Sequence, residues 1–113
     1  MTDKRRTPRK DLIFYSRVTD GNSGRMLGYL LNITPGGAMI LSEKAVEPDW
    51  LVELHIELPE GLSDTRELVI PAHSLWCSPD INPEFYDCGF SFLDVPEEYV
   101  RLIHQMVAEY GFR

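Results

Sequence analysis

Little in this sequence suits a metal site, a membrane span or a disulfide framework. Only two residues are cysteine, Cys77 and Cys88, without a CxxC spacing, and only three are histidine, His55, His73 and His104, without HxH or HExxH. A structural metal needs several closely spaced ligands, so none is expected. Two isolated cysteines in a cytoplasmic protein read as reduced thiols. The apolar runs are only a few residues long, too short to cross a bilayer, and no apolar stretch follows the basic N-terminus as in a signal peptide. No nucleophile–base pair stands out, so the chain does not read as an enzyme. Cations are scarce too: 11 Lys/Arg stand against 18 Asp/Glu, for a net charge of −7. Binding to DNA or RNA needs a broad basic surface, which an acidic body lacks. There is no internal repeat or low-complexity segment.

What cations there are concentrate at one end. Residues 1–10, MTDKRRTPRK, hold five of the 11 Lys/Arg and one of the 18 Asp/Glu, a formal +4; the remainder carries −11. With no apolar period and with Pro8, this stretch reads as a mobile arm. The rest of the 113 residues, with a chain-wide 43% hydrophobic content, suffices for one domain with a real core.

Beyond the arm the pattern is that of short strands. Leu12 to Tyr15 and Val18 are β-branched or aromatic. Asp20 to Gly24 is a hairpin turn signal, and Met26 to Ile33 is the returning strand. Thr34-Pro35-Gly36-Gly37 is a second tight turn, with glycine permitting positive φ, before Ala38 to Leu41. Val52, Leu54, Ile56 and Leu58 alternate with Glu53, His55 and Glu57, which puts one face inward. Leu68 to Trp76 is a further strand, in which Pro71 signals an edge or a bulge. Loops follow at Pro59 to Asp64 and at Ser78 to Glu84, and Tyr86 to Phe92 is the last strand. The period then turns helical over Tyr99, Leu102, Ile103, Met106, Val107 and Tyr110. Asp94 and Glu97 look like an N-terminal cap with Pro96 in the first turn, and Gly111 is placed to end about four turns. About six antiparallel strands and one helix favour a small closed barrel. Phe90, Phe92, Tyr99 and Tyr110 are assigned to the core, and Asp87 and Asp94 to loop and cap.

Two stretches carry chemistry. Arg5 and Arg9 form RxxxR, with Arg6 beside them. A guanidinium fork matches two phosphate oxygens or the O6 and N7 acceptors of guanine, and its plane stacks on a purine. Alone, the arm reads first as a solvated tail that aids solubility. Asn32-Ile33-Thr34-Pro35-Gly36-Gly37 has the form N-x-T-x-x-G. Asn32 and Thr34 share a strand face, and glycine lets a ligand approach the backbone. Alone, this is also an ordinary turn that satisfies its own hydrogen bonds. Trp76 follows an apolar strand and precedes a Cys-Ser-Pro turn, which puts it at a strand end near the barrel mouth; it reads first as a packed barrel-end aromatic, with a stacking platform for a guanine as the alternative.

Together, Arg5, Arg9, Asn32, Thr34 and Gly37 resemble the RxxxR and [D/N]xSxxG motifs of the PilZ domain family, bacterial receptors for the second messenger cyclic di-GMP. The GGAMI stretch, the strand ending Leu75-Trp76 and the CGFSF strand before the helix are similar to the family as well. The resemblance spans nearly the whole chain, as one domain: an arginine-rich arm at 1–10, a six-stranded antiparallel β-barrel at 11–93 and a C-terminal helix at 94–111. It implies a non-catalytic cyclic di-GMP receptor, cytoplasmic, without a cofactor or membrane insertion. Its arm would order over the ligand and signal to an unidentified partner protein. Arg5, Arg6, Arg9, Asn32, Thr34, Gly36, Gly37 and Trp76 are the implied ligand contacts. Thr34 stands where the family most often has serine, and Asn32 where aspartate is commoner, which bears on affinity more than on ligand identity. The alternative is a PilZ-like adaptor, as in pilus assembly or motility, that binds no nucleotide.

Overall fold

A barrel needs its strands to bury every second side chain, and β4, β5 and the first eight residues of β6 do so. The computed structural model describes residues 13–112. In chain order the elements are β1 (Ile13–Phe14), β2 (Arg17–Asp20), β3 (Met26–Thr34), β4 (Gly37–Ser42), β5 (Leu51–Glu57), β6 (Glu67–Pro79), β7 (Tyr86–Phe92), α1 (Glu97–Glu109) and β8 (Gly111–Phe112). Strands β2-β3-β4-β7-β6-β5 close into a six-stranded antiparallel barrel, which leaves no unpaired sheet edge to manage. β1 lies apart from it, paired in parallel with β8.

The alternation in β5 is realised: Val52, Leu54 and Ile56 are buried while Leu51 and Glu53 are exposed. Val18, Leu30, Ile40, Leu68 and Ile70 join them inside. From α1, Ile103 and Met106 are fully buried in the same core; each contributes about 1.5–3 kcal/mol by leaving water. Phe90 and Phe92 are core residues as expected. Tyr99 and Tyr110 are half-buried; the Tyr99 hydroxyl accepts the Val69 N–H at 3.4 Å, and Tyr110 meets Phe14 edge-on.

Several local expectations are corrected. The helix runs over Glu97–Glu109 rather than 94–111, and no side chain caps it. Pro96 itself is the N-cap; its carbonyl accepts the Tyr99 and Val100 amides, so Asp94, two residues earlier, is out of place. Glu97 and Glu98 in the first turn still complement the helix dipole. Gly111 does not end the helix: Tyr110 is already extended and Gly111 belongs to β8. Pro71 is not in an edge strand, since β6 pairs with both β5 and β7, and it is not at a bulge. It sits inside β6 opposite Glu53, and its carbonyl accepts from Leu93, just past the end of β7. Its nitrogen faces the same way and has no proton to return to Leu93, and the β6–β7 pairing ends here. The bulge in β6 falls later, between Ser74 and Trp76. Asp87 lies in β7 rather than in a loop.

The cysteines are the largest departure. Cys77 and Cys88 are opposite each other on β6 and β7 and are joined in a disulfide, not held as reduced thiols. Their separation of 11 residues has no meaning until the β6–β7 hairpin sets the register.

Candidate functional site: an outer face of the barrel

Asn32, Ile33 and Thr34 end β3. Ile33 is buried at 2% exposure while Asn32 and Thr34 are exposed, so the two polar side chains share the outer face as strand alternation requires. A register shift between Leu30 and Asn32 precedes them; without it the two would pair differently with β4. The turn is Pro35-Gly36, and the Gly36 carbonyl accepts the Phe92 N–H at 3.0 Å, which fastens the turn to the end of β7.

The roles of the two glycines separate. Neither Gly36 nor Gly37 has positive φ, contrary to the expected turn geometry; among the described residues that region holds Gly24, Gly61 and Asp49. At Gly36 an added Cβ would meet only Thr34 Oγ1, at 3.7 Å, so the space above it is open. At Gly37 it would run into the Phe90 carbonyl of β7. Gly37 is therefore required by the approach of two backbones, whatever binds outside.

Cross-strand register then builds a surface the sequence did not suggest. Asn32 is opposite Met39, Met39 opposite Gly89, and Gly89 opposite Trp76. This row crosses β3, β4, β7 and β6. The neighbouring outward row runs Thr34, Gly37, Ser91 and His73. Between them the inward row, Ile33, Ala38, Phe90 and Ser74, is buried. Trp76 is 45% exposed and lies over Gly89, whose missing side chain leaves room for the indole. It is thus an aromatic on the outer wall, three residues before the end of β6, and not one packed at a barrel end. Met39, Gly89, Ser91 and His73 were not singled out from sequence. Counting register from the turn at Pro35-Gly36 places Met39; only the position of the bulge places Trp76.

The polar groups of this face are partly engaged with their own backbone. Asn32 Oδ1 accepts the Ile33 N–H at 2.8 Å and Thr34 Oγ1 accepts the Gly36 N–H at 3.1 Å. Both side chains keep donors, the Asn32 amide protons and the Thr34 hydroxyl proton, which suit phosphate or carbonyl oxygens. His73 Nε2 is 3.1 Å from Asp49 Oδ1 at the margin. Arg5, Arg6 and Arg9 lie outside the described residues.

Two other features lie elsewhere. A cavity of about 590 Å³ is lined by Arg25, Leu27, Tyr29, Lys44, Trp50 and Phe85, among others. It uses the opposite ends of β3 and β4 from the Asn32–Gly37 turn and shares no residue with it. It is the more concave feature, but the face above gathers the polar donors beside an exposed indole. At the β6–β7 hairpin, burial holds the Asp87 carboxyl above the usual carboxylate range, with Asp80 adding to the effect. The Asn82 backbone amide, then Asp87, lowers Asp80. Among the described residues no group of three or more His, Cys, Asp or Glu could hold a metal, and no helix is long and apolar enough to cross a membrane.

Comparison with known proteins gives one family match: the PilZ domain model matches residues 3–109. Among curated proteins none matches. Among solved structures, MrkH of K. pneumonia in its apo state is similar, with a TM-score of 0.63 at 18% identity. The alignment covers 94% of this chain and 51% of that one, so the chain spans about half the length of that protein.

Proposed function

Taking as premise that this chain belongs to the PilZ domain family, we propose that it is a non-catalytic cytoplasmic receptor for cyclic di-GMP whose N-terminal arm orders on the ligand. The observation that supports this most is the outer face on which Asn32 and Thr34 of β3 share a surface with Trp76 of β6, two separated stretches of sequence. Arg5 and Arg9 grip phosphate oxygens and guanine edges from the arm, and Arg6 helps hold a second ligand molecule. Asn32 and Thr34 donate from the barrel side, Trp76 stacks on a guanine, and Gly36 leaves clearance above the turn. Gly37 keeps β4 close to β7 beneath them. No residue has a part in bond making or breaking. The output is the changed surface around the ordered arm, which a partner protein reads.

The energetics bound the affinity. Ordering about ten residues costs on the order of 10 kcal/mol. Charged hydrogen bonds return roughly 1.5–3 kcal/mol each, and stacking and counterion release supply the remainder. The expected affinity is micromolar or somewhat tighter and weakens with salt.

Titration calorimetry with cyclic di-GMP on the parent chain, Arg5→Ala and Arg9→Ala tests the reading. Each variant should lose at least about tenfold, equivalent to ~1.4 kcal/mol. If both bind like the parent, the arm is not the site. No heat from the parent at about 100 micromolar, roughly −5.5 kcal/mol, favours the adaptor that binds no nucleotide. Consumption of the ligand by pure protein rules out the non-catalytic part.

A further inference from the structure

We propose that Cys77 and Cys88 are a reversible thiol–disulfide site whose state sets the position of Trp76 and, through it, the affinity of the outer face for its ligand. The ligand half of this statement rests on the reading given above; the thiol half does not. The two cysteines are opposite each other with Cα atoms 4.2 Å apart. The next pair along the same ladder is Trp76 and Gly89. On the other side of Trp76 the ladder shifts register before Ser74, so Leu75 is extra. A bulge interrupts strand pairing, and the disulfide is the covalent tie immediately beyond it. Trp76 is thus held between a weak point in the ladder and a bond that can open.

The same sulfur reaches the other way. Cys77 Sγ accepts the Val46 N–H at 3.2 Å, and Ser74 binds Glu47 and Trp50 of the same loop. Opening the disulfide turns that acceptor into a thiol and removes the covalent tie between β6 and β7 beside the indole, leaving the ladder alone to hold the bulged segment.

Burial sets the order of events. Cys88 is 1% exposed, whereas Cys77 is half-buried, so a reagent meets Cys77 first. In closure, the Cys77 thiolate attacks one sulfur of a small-molecule disulfide, forming a mixed disulfide and expelling one thiolate. The Cys88 thiolate then attacks the Cys77 sulfur, forms the cross-strand bond and expels the second thiolate. The two electrons pass to the small-molecule disulfide, which leaves as two thiols carrying the two protons. An excess of small thiol runs the exchange backwards.

The experiment equilibrates the full chain in glutathione buffers of stepped disulfide-to-thiol ratio. Three quantities are read: alkylatable thiols by mass, the Trp76 indole N–H resonance (assigned with Trp50→Phe), and cyclic di-GMP affinity by calorimetry. The expected result is one reversible transition between dithiol and disulfide, with the Trp76 resonance moving at the same ratio. The dithiol form should bind about fivefold more weakly, the low end of what one base–aromatic stack is worth. In Cys77→Ser, chosen because that site is only half-buried, both the resonance and the affinity should ignore the buffer. An unchanging thiol count, or a transition that leaves the Trp76 resonance still, overturns the proposal. A moving resonance with constant, measurable affinity overturns its ligand half. A moving resonance with no binding in either state supports the thiol site and overturns the receptor reading instead.

Discussion

Replacing Gly89 by alanine puts a methyl group where Trp76 now lies. The new Cβ would fall 2.6 Å from indole Cε2, 2.7 Å from Nε1 and 2.8 Å from Cζ2. Non-bonded carbons settle at roughly 3.5–4.0 Å, so the indole must retreat by about 1 Å. It can do so outward, since Trp76 is 45% exposed, and Gly89 is not in the left-handed region. The barrel backbone is untouched, and the stability loss should stay within about 1 kcal/mol. A base stacked on an aromatic is worth ~1–3 kcal/mol, a factor of ~5 to ~150 in affinity. Displacement is milder than removal, so Gly89→Ala should weaken cyclic di-GMP binding by about fivefold and Trp76→Ala by more. Calorimetry on the parent, both single variants and the double variant closes a cycle. If Gly89 acts only through Trp76, its substitution costs nothing once Trp76 is alanine. Binding that still falls in the Trp76→Ala background would refute the argument, as would a Gly89→Ala variant that binds like the parent.

Three further expectations concern stability. Gly37→Ala sets a Cβ against the Phe90 carbonyl, a backbone atom that cannot swing away; thermal melting should show a loss of about 1–3 kcal/mol, and an unchanged melting temperature would count against the close approach. The Ser74 hydroxyl is 1% exposed, donates to the Glu47 carbonyl and accepts the Trp50 N–H at 2.8 Å. Ser74→Ala leaves both unpaired and should cost about 1–3 kcal/mol in urea unfolding. His55 lies 3.1 Å from both Glu53 and Glu67; the Glu53 hydrogen bond foremost, with Glu67 adding and burial opposing, raises its pKa above the ordinary 6.5. Its contribution to stability is therefore complete below pH 6.5 and lost as pH rises through the folded value. His55→Gln should flatten the fall in melting temperature between about pH 6 and 8; an equally steep fall would show that another group titrates.

How much of this could be read without a structure depends on the range of the interaction. The alternation from Val52 to Leu58 is a local pattern, and it places the inward face of β5 correctly. The helical period likewise identifies Ile103 and Met106 as core. Asn32 and Thr34 are two residues apart on a strand, so their common face follows from backbone geometry alone. The misreadings occur where a residue's role is decided by a distant partner. Pro71 looks like the mark of an edge strand until β6 is seen paired on both sides, with the β7 pairing ending beside the proline. Gly37 looks like a turn residue until the Phe90 carbonyl appears beside it. Asp94 is the local exception: its type and spacing fit a cap, yet Pro96, two residues on, occupies that position.

The architecture and the two motifs are legible along the chain, because periodicity, turn chemistry and residue type act over a few neighbours. Which residues stand beside the motif on the outer face depends on how the barrel closes. A closed barrel brings Asn32 and Trp76 into one row, and Cys77 against Cys88, through registers set by bulges at Leu30/Asn32 and Ser74/Trp76. A one-residue slip in either strand would turn those side chains to the other face. That choice is made by the packing of the whole core and not by any segment within it.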